Sequence, residues 1–147
     1  MTATTLSIAA IEDRDIPEVV ALWQRAGLVR PWNDPAGDIA LARKEGNATV
    51  LLGRKNGAAI ASVLVGHDGH RGWVYYVSVD PEHRGAGHGR TIMTAAEDWL
   101  RARGIQKLQL MVRGDNAKVH AFYESIGYYD QQRTTFAKWL DGRAPTP

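Results

Sequence analysis

The segment DPEHRGAGHGR, Asp80 to Arg90, holds three glycines at alternate positions, Gly85, Gly87 and Gly89, between the fixed charges of Arg84 and Arg90. Two chemistries fit that pattern. One is a tight turn. The other is a backbone cradle for an anion. Glycine lacks the Cβ that would hold a ligand away from N–H groups, and arginine adds charge and paired donors. The apolar run WVYYVSV precedes the segment and the helix-like GRTIMTAAEDWL follows it. A strand–loop–helix junction presents the unpaired N–H groups of a helix N-terminus, which suit a phosphate or pyrophosphate. The dinucleotide fingerprint G-x-G-x-x-G does not fit. Gly85-x-Gly87-x-Gly89 is one residue short, and Gln109 to Val112, where its acidic partner belongs, carries no carboxylate. The P-loop ends in Gly-Lys-Ser/Thr, and GRT has no lysine.

Composition narrows the partners. The 147 residues read as one domain, residues 1–140, with a frayed tail at 141–147. Net charge is +2, with no Lys/Arg run long enough to track a nucleic-acid backbone. No cysteine is present, so disulfides, Cys-ligated zinc and thiol nucleophiles are excluded. The five histidines do not fall in metal-ligand spacing; His67 and His70 are three apart in a turn with no third ligand evident. The N-terminus lacks the basic and apolar regions of a signal peptide, and no apolar run is long enough to span a bilayer. The expectation is a bacterial-type cytoplasmic protein with no nucleic-acid or membrane partner.

The elements that must position the loop follow from periodicity. Thr5 to Ile11 reads as a strand. Asp15 reads as an N-cap, with Pro17 in the first turn and Glu18 three residues on, ahead of Ile16, Val19, Val20, Trp23 and Ala26 on one helical face. Gly27 ends that helix, and a second runs from about Ala36 to Lys44. Asn56-Gly57 is the dipeptide of a type I′ turn, joining strands Thr49 to Lys55 and Ala58 to Gly66. Trp73 to Val79 reads as a strand buried on both faces. Ile92, Met93, Ala96, Trp99 and Leu100 fall at helical spacing; a strand at IQKLQLMV, a helix from Asn116 to Gly127 and a last strand in YYDQQRTTFAKWL complete the order β-α-α-β-β-β-α-β-α-β. The helix-linked strands should be parallel neighbours and the hairpin-linked ones antiparallel.

Arg84-x-x-Gly87-x-Gly89 fits R-x-x-G-x-G/A in full. With VSVDPEHRGAGHGR, the helix NAKVHAFYESIGY and the element order, the chain resembles the GNAT superfamily of acetyltransferases over nearly its whole length. RPWNDP and GHDGHRG resemble turns of a small bacterial, YpeA-like branch. The resemblance implies an α/β mixed sheet of GNAT type. Six to seven mostly antiparallel strands, with a parallel pair splayed at the cofactor site, are flanked by about four helices. It implies transfer of an acetyl group from acetyl-CoA to a primary amine of a small molecule or protein, and a possible homodimer. Main chain at Val77, Ser78 and Val79 would pair with pantetheine, the Val79 N–H serving as oxyanion donor. Arg84, Gly85, Ala86, Gly87, His88, Gly89 and Arg90 would cover the pyrophosphate of coenzyme A. Asn116 would reach the cofactor arm, and Tyr123 would be the general acid to the departing sulfur.

The general base is not evident. WVYYVSV has no carboxylate, so the candidates are Tyr75 or Tyr76 holding a water, His67, Asp68, His70 and Asp34, or loss of the proton to water. Asp in NDP and HDG forms turns on its own account. Trp32, Asn33 and Asp34, with Tyr76, are the candidates for the acceptor side, where an indole and a carboxylate would suit a cationic amine. Two other readings remain at this point: a non-catalytic acyl-CoA-binding module, and a different nucleotide-binding or structural domain.

Overall fold

The computed structural model describes residues 5–147. They group into two compact units, one ending at Leu110 and the other Met111–Pro147. The first contains β1 (Ser7–Ala10), α1 (Ile16–Arg25), α2 (Pro35–Arg43), β2 (Ala48–Lys55), β3 (Ala58–His67), β4 (Gly72–Val79), α3 (His88–Arg101) and β5 (Leu108–Gln109). The strands form one sheet in the order β1-β2-β3-β4-β5. All neighbours are antiparallel except β4 and β5, which are parallel. Asn56 and Gly57 take φ values of 51° and 82°, as the type I′ turn requires.

Both faces of the central hairpin are covered, because buried residues run consecutively along it, from Val50 to Gly53 in β2 and from Ala59 to Gly66 in β3. Val19, Leu22 and Trp23 of α1 and Ile39 of α2 pack with Val50, Leu52, Ala59 and Leu64. Ile92, Met93, Ala96 and Leu100 bury the inner stripe of α3, which lies on β3 and β4. Asp15 does not act as a plain N-cap. A 3₁₀ turn at Asp13–Asp15 precedes α1, so Asp15 is already helical and its carboxylate turns back to accept from the Glu12 N–H at 2.8 Å. Arg54 then forks onto Asp15 and Glu18 at 2.9 and 2.8 Å, tying β2 to the start of α1.

Strand β4 departs from the expectation of two buried faces, since Tyr75 is 45% exposed. Aromatic and β-branched composition marks a strand, but cover also needs a neighbour, and β5 pairs with β4 only at Gly72↔Leu108 and Trp73↔Gln109. Beyond that point β4 carries a bulge. The register steps from Leu64↔Tyr75 to Ser62↔Ser78, leaving Tyr76 and Val77 opposite Val63 alone. Tyr76 takes φ 53°, a conformation that costs a residue with a Cβ of order 1–3 kcal/mol. Two contacts hold it: the ring lies flat on Trp23, centroids 3.9 Å apart and 1° between planes, and the hydroxyl donates to Asp38 at 2.7 Å.

In the second unit, α4 (Ala117–Ser125) starts where the Asn116 carboxamide accepts from the Val119 N–H, and ends ahead of Gly127 at φ 98°. The strand expected in YYDQQRTTFAKWL does not form. Gln132 sits at φ 54° within it, which breaks an extended run, and Phe136 and Leu140 are 91% and 94% exposed, so no face is buried to fix a register. The sheet therefore has five strands among the described residues, not six to seven.

A buried polar chain crosses the first unit. The Trp23 indole N–H donates to the Ser62 hydroxyl at 2.7 Å, and the Ser62 and Ser78 hydroxyls are 2.9 Å apart. Ser62→Ala strands a fully buried indole N–H, so urea unfolding should show a loss of about 1–3 kcal/mol. A loss within error would mean that the indole finds another acceptor.

Candidate cofactor and acceptor site

Pairing of β4 with β5 ends at Trp73, so the rest of that edge of β4 has no ladder partner among the described residues. Main-chain N–H groups alternate in direction along a strand. The Asp80 N–H donates inward to the Ile60 carbonyl at 2.7 Å, so the Val79 N–H points to the opposite, outer edge. No strand pairs with that edge beyond Trp73 among the described residues. Val77 and Val79 are half-buried and Ser78 is buried in the polar chain, so side chains anchor this stretch while its backbone faces out.

Asp80 fixes the chain as it leaves β4. One carboxylate oxygen accepts from the Glu82 N–H at 2.9 Å and the other meets Arg25 of α1 at 3.1 Å. The Glu82 bond first, and Arg25 with it, hold its carboxyl below the usual range. A 3₁₀ turn at Pro81–His83 leads to Arg84 and the glycines. Gly85 and Gly87 take φ 82° and 83°, and a Cβ on either would enter open space. The positive φ explains why glycine is needed there; the open space is what an anion requires. Gly87 is the N-cap of α3 and offers no side-chain cap; the first helical bond runs from Thr91 N–H to the Gly87 carbonyl at 3.1 Å. The N-terminal N–H groups of α3 thus adjoin the glycine loop, with Arg84 and Arg90 exposed beside it and Ala86 exposed within it.

His88 is the surprise of the loop. It is 3% exposed, and its Nε2 has no hydrogen-bond partner. Burial first, then the positive charges of Lys55 and His83, push its pKa below the ordinary 6.5. The imidazole is held neutral under a loop rich in positive charge.

The expected acceptor-side residues lie at the start of α2 and on β4. Trp32 is half-buried in the turn before α2, Asn33 closes that turn on the Arg30 carbonyl at 3.0 Å, and Asp34 caps α2 through the Gly37 N–H at 3.1 Å. Asp68 is fully engaged, accepting from His70 N–H, Arg71 N–H and the Trp73 indole, with His67 and His70 in the same turn. Tyr76 is half-buried on the bulged stretch of β4. Sequence reasoning missed its partner Asp38, which stands one helical turn after Asp34 but 38 residues from Tyr76. No local signal joins them.

In the second unit, Asn116 is the N-cap already described. The Tyr123 ring meets Phe122 and Tyr128 edge-on at 5.0 and 5.8 Å, and burial pushes its phenol up to about 12. No group of three or more His, Asp or Glu that could hold a metal occurs among the described residues.

A mixed sheet whose parallel pair is short, joined through a glycine loop to an uncapped helix N-terminus, suits a protein that binds an anionic cofactor. The pattern of the Acetyltransferase (GNAT) family matches residues 13–128. An acetyltransferase of Yersinia pestis is 38% identical over 135 residues, covering 92% of this chain and 96% of its own length. The ribosomal-protein-S18-alanine N-acetyltransferase of Escherichia coli superposes with a TM-score of 0.75 at 28% identity, over 94% of this chain and 87% of its own. AAC(6')-Iy, solved with the bisubstrate analogue CoA-S-monomethyl-acetylneamine, has a TM-score of 0.79 at 13% identity, over 91% of this chain and 97% of its own, and shows the shared fold alone. The chain belongs to the GNAT acetyltransferase family. It is an acetyl-CoA-dependent N-acetyltransferase, transferring an acetyl group to an amine. No helix among the described residues is long and apolar enough to cross a membrane.

The depressed pKa of His88 has a consequence for stability. Below pH 6.5 the unfolded chain takes up a proton that the buried imidazole refuses, so its contribution to stability falls as pH drops from 6.5 through the folded value. His88→Leu should therefore flatten the decline in melting temperature between about pH 7 and pH 5. An unchanged slope would show that His88 does not couple to folding.

Proposed function

We propose that the glycine loop and the N-terminus of α3 hold the pyrophosphate of acetyl-CoA, and that the outer edge of β4 holds its pantetheine arm. The observation that carries this reading is the start of α3, where Gly87 is the N-cap without a side-chain cap and left-handed Gly85 and Gly87 put no Cβ beside the helix's first N–H groups. Helix N–H groups bind phosphate oxygens well when no side chain caps them, and α3 has no such cap. Arg84, Ala86, His88, Gly89 and Arg90 complete the loop. Backbone groups of Val77, Ser78 and Val79 pair with the arm, and the outward Val79 N–H donates to the carbonyl oxygen. When bound, acetyl-CoA supplies an activated thioester; this chain supplies position, a hydrogen-bond donor and proton handling.

Tyr123 is the proposed general acid to the sulfur and Asn116 a contact to the cofactor, both by their match to the family's helix motif. Trp32, Asn33 and Asp34 flank the acceptor; β4 carries no carboxylate, so the amine's proton goes to water, free or held by Tyr75 or Tyr76, or to a base outside that strand. The acceptor is a primary amine of a small molecule or of a protein. The Escherichia coli neighbour is named for a protein alanine and the AAC(6')-Iy complex for an acetylneamine analogue, which is why both kinds belong in a substrate screen.

Saturating coenzyme A at a hundred times its Kd should add about 2.7 kcal/mol to stability, read as a thermal shift. Gly87→Glu should abolish the shift, because it puts a carboxylate at the pyrophosphate position and a Cβ at φ 83°. No shift in the wild type would defeat the cofactor assignment. Tyr123→Phe keeps the ring and deletes the proton; with an acceptor in hand, kcat should fall by about a hundredfold. An unchanged kcat would remove the acid role.

A further inference from the structure

We propose that the Tyr76 hydroxyl oxygen is the hydrogen-bond acceptor for the substrate amine, and that Asp38 is the positioning residue that makes it one. The inference rests on the acetyl-CoA reading above and names a group on the acceptor side of the same site.

The argument begins with proton inventory. A phenol has one proton to donate and lone pairs to offer. The proton of Tyr76 is committed to Asp38 at 2.7 Å. What remains at the oxygen is acceptor capacity, which suits an amine or ammonium N–H and discriminates against acceptors that present no donor. The Asp38 carboxylate polarises the phenol toward negative charge, as a hydrogen bond to an ionised partner does, and adds an anion one bond further back that favours a cationic substrate. Burial first, then the Asp38 bond and charge and the charge of Asp34, hold the phenol proton on well above the usual range, so this donor–acceptor order persists at neutral pH.

Geometry fixes where that oxygen stands. Tyr76 lies on β4 in the stretch that β5 no longer pairs, three residues before the outward N–H of Val79. Its backbone is left-handed, its ring is clamped flat on Trp23, and Trp23 is itself pinned through its indole to Ser62. A non-glycine residue persists in that conformation only where its surroundings over-determine it, and such positions gather at functional sites. Here helix α1 sets the ring plane and helix α2 sets the direction of the hydroxyl.

The test uses the full-length protein labelled with tyrosine carrying ¹³C at Cζ, saturated with coenzyme A, with ethylammonium as the probe amine. The Tyr76 resonance is assigned by its loss in Tyr76→Phe. Ethylammonium should shift that resonance in the wild type, and Asp38→Asn, in which the phenol proton is no longer held by an anion, should weaken the response at least about tenfold in apparent affinity. Tetramethylammonium, which has no N–H, should leave the resonance in place. Failure of ethylammonium to move it, or an equal response to tetramethylammonium, overturns the inference. Coenzyme A binding on the same samples reports the cradle separately: its absence would defeat the cofactor assignment, whereas its presence without an amine response defeats only the role of Tyr76. Once an acceptor is known, Tyr76→Phe and Asp38→Asn should both raise its KM more than they lower kcat. A loss confined to kcat would also overturn the role.

Discussion

Strand β4 is interrupted, and the rest of the structure depends on how. A regular strand in the middle of this sheet would pair on both edges and leave no backbone for a ligand. Here the parallel partner ends at Trp73, and the bulge at Tyr76 and Val77 bends the strand just beyond it. The inner edge stays bonded to β3 through Ser78 and Asp80, so the strand is rigid while its outer edge is open. Such an edge is normally an aggregation hazard. A short open stretch limits the hazard and, in the reading proposed above, offers its backbone to the cofactor arm.

The interruption is sustained from behind. Trp23, fully buried, supports the Tyr76 ring and bonds to Ser62, which in turn bonds to Ser78. The same side chain therefore stabilises the bulge and the regular pairing that follows it. Arg25, two residues on in α1, reaches Asp80 and fixes the exit from β4. One helix thus positions three successive features of the strand: the strained residue, the buried serine and the entry to the glycine loop. Rigid placement of this kind is what a site needs if catalysis comes chiefly from holding reactants in register.

Much of this was legible in the sequence wherever the signal was local. Asn56-Gly57 and the glycines of the loop announce themselves because their backbone angles admit few other residues, and the α3 stripe announces itself by period. The pairings of Tyr76 with Asp38 and of Trp23 with Ser62 were not legible. They join residues 38 and 39 positions apart, and nothing in either neighbourhood marks the partner. The expected last strand failed for the complementary reason. Its aromatic and threonine content is a local signal, but a strand needs a partner and a covered face, and Phe136 and Leu140 have neither burial nor register. Asp15 shows the same limit on a smaller scale: its type predicts a cap, and only the preceding 3₁₀ turn decides which N–H it caps.

His88 follows from the same economy of charge. Arg84 and Arg90 stand exposed along the loop, and Lys55 and His83 are close enough to act on the imidazole. A histidine placed there must be neutral or meet a partner, and its Nε2 has none. Desolvation and the surrounding field push in one direction, so the residue contributes volume rather than charge at the first position of α3. In the reading proposed above, the pyrophosphate is left to main chain and arginine, two donors whose charge state does not change over the pH range in which an amine acceptor gains or loses its proton.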